Sequence, residues 1–149
     1  MKTQKITILF VISSLIFFSF INADKQPAYS LKFKIKGLKA GDTIYLANYY
    51  GDKQYLKDTA IVNVKGEFTF EGKEKLPGGI YLVVLPGKQF FDIIVNEQNF
   101  GIETDTKDYT KNMKITNSVE NKAFYEYRNF VEDRGKKGEE VRKLLDSAK

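Results

Sequence analysis

The sequence predicts a mainly β protein: an antiparallel β-sandwich of seven or eight short strands followed by a C-terminal amphipathic helical segment. Three observations carry this expectation. Apolar and polar residues alternate from Tyr29 onward, turn residues recur at spacings of about 8–12 residues, and the hydrophobic period changes from that of a strand to that of a helix after Asn117. Strands do not alternate with helices, and neither GxGxxG nor a P-loop occurs, which disfavours the nucleotide-binding α/β architectures.

The first strand is the clearest. Tyr29, Leu31, Phe33 and Ile35 share one face and Ser30, Lys32, Lys34 and Lys36 the other. Such a lysine row has two readings, a nucleic-acid platform or the protection of a sheet edge, and the edge reading is preferred. Gly37-Leu38-Lys39-Ala40-Gly41-Asp42 then supplies a turn, and residues 43–49 resume as a strand. Gly51-Asp52-Lys53 breaks the pattern, and residues 59–64 alternate again with Ala60, Val62 and Val64 on a shared face. Lys65-Gly66 reads as a hairpin turn into 67–71, where Phe68 and Phe70 point inward. Residues 80–85 form a continuous apolar run suited to a central strand. Strands at 90–95 and 100–104 come next, and 113–116 adds a short last one.

The helix is expected from Asn117, with Glu120 three residues later completing a capping box. Val119, Ala123, Phe124, Tyr127, Phe130 and Val131 form one stripe that can pack on the sheet or on a neighbour. Gly135 and Gly138 are expected to interrupt it.

Composition removes most catalytic chemistries. The 149 residues contain no His, Cys or Trp, so no Ser-His-Asp triad, thiol nucleophile, redox CxxC pair or N/S-ligated zinc site can be built. We expect no enzyme activity, no cofactor and no metal. Glu67 and Glu71 lie about 13 Å apart along a strand, too far for a glycosidase pair, and read as solvated charges. Glu103, Asp105 and Asp108 could offer oxygen to Ca²⁺, but the spacing lacks the glycine of an EF-hand loop and favours a turn.

Residues 1–23 read as a secretory signal peptide. Lys2 and Lys5 precede an apolar run at 6–21, and Ala23 offers a small residue at the cleavage site. The expected location is therefore periplasmic or extracellular, the alternative being an uncleaved anchor in the inner membrane. Without Lys2 and Lys5 the net charge falls from +5 to +3, spread along the strands, and no nucleic-acid partner is expected. The organisation is thus 1–23 signal, 24–116 β-sandwich, and 117–149 a helical extension or linker toward a further domain.

Two groups are candidates for contact with a ligand or partner. Tyr49, Tyr50 and Tyr55, with Tyr45, cluster around Gly51-Asp52-Lys53-Gln54 and could dock a saccharide or peptide, or could instead be cross-strand pairs. Phe124, Tyr127 and Phe130 on the helix could recognise another chain or close one end of the sandwich.

The stretch from Leu31 to Asp105 also resembles the domain of unknown function that precedes thioredoxin-like domains in secreted bacterial proteins related to peroxiredoxins and cytochrome-maturation thiol-disulfide oxidoreductases. The similarity runs through "GLKAGDTIYL" at 37–46, Asp58-Thr59 entering a strand, "VKGEFTFEG" at 64–72, "GGIYLVV" from Gly78, and the tract ending "FGIETD". Ser118-Val119-Glu120-Asn121 is similar to the segment that links that domain to its downstream neighbour. The resemblance implies an accessory module, either a truncated relative or a free-standing copy, that packs against or positions a thioredoxin-like partner. It transfers no functional residue, and the redox chemistry of those proteins resides in their thioredoxin-like part.

Overall fold

The computed structural model describes residues 26–148. The signal peptide expected at 1–23 lies outside the described residues.

Among the described residues, eight strands form two four-stranded sheets that face each other. They are β1 (Tyr29–Lys36), β2 (Thr43–Tyr50), β3 (Lys53–Ile61), β4 (Glu67–Gly72), β5 (Gly79–Val84), β6 (Phe90–Val95), β7 (Asn99–Asp105) and β8 (Lys114–Thr116), followed by one long helix, α1 (Val119–Ser147). The sheet orders are β4-β1-β7-β8 and β3-β2-β5-β6. Every pairing is antiparallel except β1 with β7, which is parallel and runs from Ser30↔Asn99 to Lys36↔Asp105.

The alternation read in the sequence is the alternation that packs. Leu31, Phe33 and Ile35 on β1, Phe68 and Phe70 on β4, and Phe100 and Ile102 on β7 meet Ile44, Leu46, Tyr81, Val83, Phe91 and Ile93 of the other sheet. Phe33 stacks on Phe68 at 5.0 Å between ring centroids and reaches Phe91 on the opposite sheet at 6.3 Å. Each such side chain contributes about 1.5–3 kcal/mol by leaving water, so this interior is the main stabilising term. Tyr29 adds a polar tie between the sheets, its hydroxyl donating to Asp58 Oδ2 on β3 at 2.7 Å.

Several expectations need correction. β1 is flanked by β4 and β7, so its lysines do not guard an edge; they project from the outer face of an interior strand, and Lys34 pairs with Glu67 on β4 at 3.7 Å. The third strand begins at Lys53 and ends at Ile61 rather than spanning 59–64. Its first half is solvated on both faces and so carries no alternation to read. Gly51, at φ 62°, makes the tight connection that lets Tyr50 pair with Lys53. Ala60 and Val62 are buried, but Val64 is 89% exposed. Asn63 is the cause: its Oδ1 accepts from the N–H groups of Lys65 and Glu67, folding a turn with Val64 at its tip.

α1 runs unbroken through Gly135 and Gly138. Its cap is Ser118 rather than Asn117: Ser118 Oγ accepts from Asn121 N at 3.2 Å, while Asn117 sits in the left-handed region at φ 59°. Glu120 does not close a capping box. It accepts from Asn96 Nδ2 across the junction at 2.8 Å.

Candidate interaction surface

The helix is joined to the sandwich by hydrogen bonds rather than by its apolar stripe. β6 is an edge strand, and the backbone groups on its free side must find partners. Asn121 supplies them at Ile94, with Oδ1 accepting from the amide at 2.8 Å and Nδ2 donating to the carbonyl at 2.6 Å. One turn on, the Tyr125 hydroxyl donates to the Asp92 carbonyl at 2.5 Å, and Arg128 pairs with the Asp92 carboxylate at 3.5 Å. Asn121 is fully buried and Tyr125 nearly so. Burial of the Tyr125 ring pushes its hydroxyl well above the ordinary tyrosine range.

Glu97, in the turn after β6, holds the first turn of α1 from beneath. Its carboxylate accepts from Ser118 Oγ and from Val119 N, each at 2.8 Å. Desolvation raises its pKa, but the hydrogen bonds from Ser118 and from the helix N–H groups outweigh that and hold the carboxyl below its ordinary value. The direction of α1 is therefore fixed relative to β6. None of these residues stood out in the sequence except as the tetrapeptide Ser118 to Asn121. The legible signal was a polar Asn four residues before a Tyr, on a side of the helix where the apolar stripe is absent.

The stripe itself does not pack on the sheet. Tyr127, Phe130 and Val131 are exposed, Val119 likewise, and only Phe124 is half-buried, its ring edge-on to Tyr125 at 5.2 Å. Tyr127 and Phe130 thus lie together on an open helix face, apart from the sandwich.

The tyrosines around the β2–β3 turn divide between the two faces of the sheet. Tyr50 and Tyr55 meet edge-to-face at 6.4 Å, a cross-strand pair beside Asn48, which pairs with Tyr55 on one side and Tyr81 on the other. Tyr49 points the opposite way, its hydroxyl accepting from Gln54 Nε2 at 2.9 Å. Asn48 Oδ1 is buried without a hydrogen-bond partner, a costly condition for an amide oxygen.

Tyr49 belongs instead to the outer face of β3-β2-β5-β6. There the register sets Tyr45 beside Val84 and Val84 beside Phe90, and the next row runs Leu56, Ala47, Leu82, Asp92. Leu82 and Ala47 are buried although they point out of the sandwich, and Tyr125 and Arg128 hold Asp92 at the end of that row. The rest of the face stays open: Leu56 is 62% exposed, and Ile80 and Phe90 are each 54% exposed. An apolar sheet face of this kind is what protein contacts cover.

The outer face of the other sheet is polar. A shallow trough of about 650 Å³ there is bordered by Ser30, Lys32, Thr69, Glu71, Asn99 and Thr116, with Gly101 on its floor. Two of the three carboxylates considered for Ca²⁺ are engaged in the turn after β7: Asp105 accepts from the N–H groups of Asp108 and Lys107 and from Asn112 Nδ2, which holds it below its ordinary pKa. Asp108 accepts from Thr110 N and Lys111 N. This is a turn held by carboxylates that accept from nearby backbone N–H groups and one side-chain amide. Among the described residues no group of three or more His, Cys, Asp or Glu is placed to hold a metal ion, and no helix is long and apolar enough to cross a membrane.

The family model described as a domain of unknown function, DUF4369, matches residues 29–124, from the start of β1 to just beyond Asn121. No curated protein matches the chain.

Proposed function

Because the chain belongs to the DUF4369 family of domains of unknown function, we propose that it is a non-catalytic, exported accessory module that packs against and positions a thioredoxin-like partner domain. Export is supported by the charged and apolar pattern of residues 1–23. The observation that carries the reading is the open apolar face around Tyr45, Leu56, Ile80 and Phe90, set beside a helix of fixed direction. A contact there adds hydrophobic burial without asking the sandwich to rearrange.

The test is a titration of the purified protein with the thioredoxin-like domain of an exported thiol-disulfide oxidoreductase, monitored by NMR. Shifts should concentrate at Tyr45, Ile80 and Phe90, and Ile80→Lys should remove binding without lowering the melting temperature. Absence of binding, or shifts confined to β4 and β1, would count against the reading.

A second reading rests on the Tyr50–Tyr55 pair. The two rings meet edge-to-face and are both exposed, Tyr50 at 78%, so a saccharide ring or a peptide could stack on them. A glycan and peptide array compared with Tyr50→Ala separates the two readings.

A further inference from the structure

We infer that α1 pairs in parallel with α1 of a second copy of this chain, through the face it turns away from the sandwich. At about 100° per residue, Asn121, Tyr125, Arg128 and Glu132 share one side of the helix. These are the residues that reach the body: Asn121 to Ile94, Tyr125 and Arg128 to Asp92, and Glu132 to Lys111 at 3.7 Å. Tyr127, Phe130, Val131, Val141, Leu144 and Leu145 fall on roughly the opposite side and are all exposed, Tyr127 at 66% and Leu144 at 69%. The fold therefore cannot cover this stripe from within. From Tyr127 to Leu145 it spans about 27 Å, as one apolar patch at Tyr127, Phe130 and Val131 and a second at Val141, Leu144 and Leu145, with Arg134, Lys137 and Gly138 on the same side between them. An isolated exposed leucine is ordinary, whereas two such patches aligned on one side of a helix form a contact surface.

The flanking charges identify the occupant and its direction. Glu126, Asp133 and Glu140 border one side of the stripe, and Arg142 borders the other. When two copies meet stripe to stripe about a two-fold axis along the helices, the acidic flank of each faces the Arg142 flank of the other. Glu140 then lies level with Arg142 of the second copy. An antiparallel pair would oppose acid to acid and base to base. The sandwiches attach on the far side of each helix, so they stay outside the pair.

The middle of the stripe fits the same reading. Gly138 lies on it, between the Tyr127 and Val141 patches, and a Cβ at Gly138 or Gly135 would touch nothing within 4 Å. Glycine weakens a helix interior, and the body gains nothing from either one. A bare backbone at Gly138 lets a second helix approach closely. Arg134 lies over its own Phe130 ring at 5.1 Å, a polar residue on the seam of the kind that fixes register at some cost in affinity.

The chain has no cysteine, so single substitutions report contacts cleanly. Tyr127→Cys and Val141→Cys, each oxidised alone, should both crosslink to themselves, while Lys143→Cys on the opposite side should remain uncrosslinked. Sedimentation equilibrium should give twice the chain mass, and Val141→Lys combined with Leu145→Lys should weaken association about a hundredfold with an unchanged helical spectrum. The inference is overturned by a monomer at every concentration, by crosslinking only when the Tyr127→Cys and Val141→Cys chains are mixed, or by a dimer that the double lysine variant leaves intact.

Discussion

Asn121 stands against Ile94 as an additional β-strand would, donating to its carbonyl and accepting from its amide with one side-chain amide. An edge strand exposes both groups of such a residue, and a helix residue in the right place can satisfy both at once. Asn121→Ala should therefore cost about 2–4 kcal/mol, because two hydrogen bonds vanish and two backbone groups are left buried or opened to water. Urea unfolding measures the loss, and hydrogen exchange at the Ile94 amide should accelerate more than at Ile93. Unchanged exchange at Ile94 would refute the pairing.

Glu97 makes the helix junction sensitive to acid. Its folded pKa is depressed by Ser118 and the helix N–H groups despite desolvation, so its stabilising contribution is present above the unfolded value of about 4.5 and is lost as pH falls through the folded value. Melting temperature measured from pH 6 down to about pH 3 should fall more steeply for the wild type than for Glu97→Gln. Equal slopes would show that Glu97 is not the group titrating.

Tyr29 acts at the other end of the scale. Burial, and then its hydrogen bond to Asp58, raise its pKa far above the ordinary 10, so its contribution is complete below pH 10 and declines as pH rises above that value. Tyr29→Phe should be less stable than the wild type by about 1–2 kcal/mol at neutral pH, and the gap should narrow in strongly alkaline buffer. Chemical unfolding at pH 8 and at pH 11 checks the sign.

Leu82 and Ile80 point to the same side of β5 yet differ in cover, being 1% and 54% exposed. Leu82→Ala should cost about 2–5 kcal/mol, as for an interior residue, and Ile80→Ala less than about 1 kcal/mol. Similar losses for both would mean that Ile80 is covered in solution, as the proposed partner contact would make it.

Much of the fold was legible because a strand writes its own orientation into the sequence. Leu31, Phe33 and Ile35, and again Phe68 and Phe70, face the interior as their spacing requires. The polar first half of β3 was not legible, since a strand solvated on both faces has no period to show. On the candidate surface Tyr50 and Tyr55 meet across the strands, whereas Tyr49, next to them in sequence, points the other way, which sequence proximity does not show.

Local patterning was enough to specify the β-sandwich, most of its strands, its inward faces and the onset of a helix after Asn117, because alternation, turn residues and helical spacing are properties of a few neighbouring residues. Only in three dimensions does β1 come to lie inside its sheet beside a parallel β7, and only there does α1 dock through Asn121 and Tyr125 while its apolar stripe faces outward. Both outcomes depend on which distant backbone edge is left unsatisfied, here Ile94, 27 residues from Asn121, and no local period records that need.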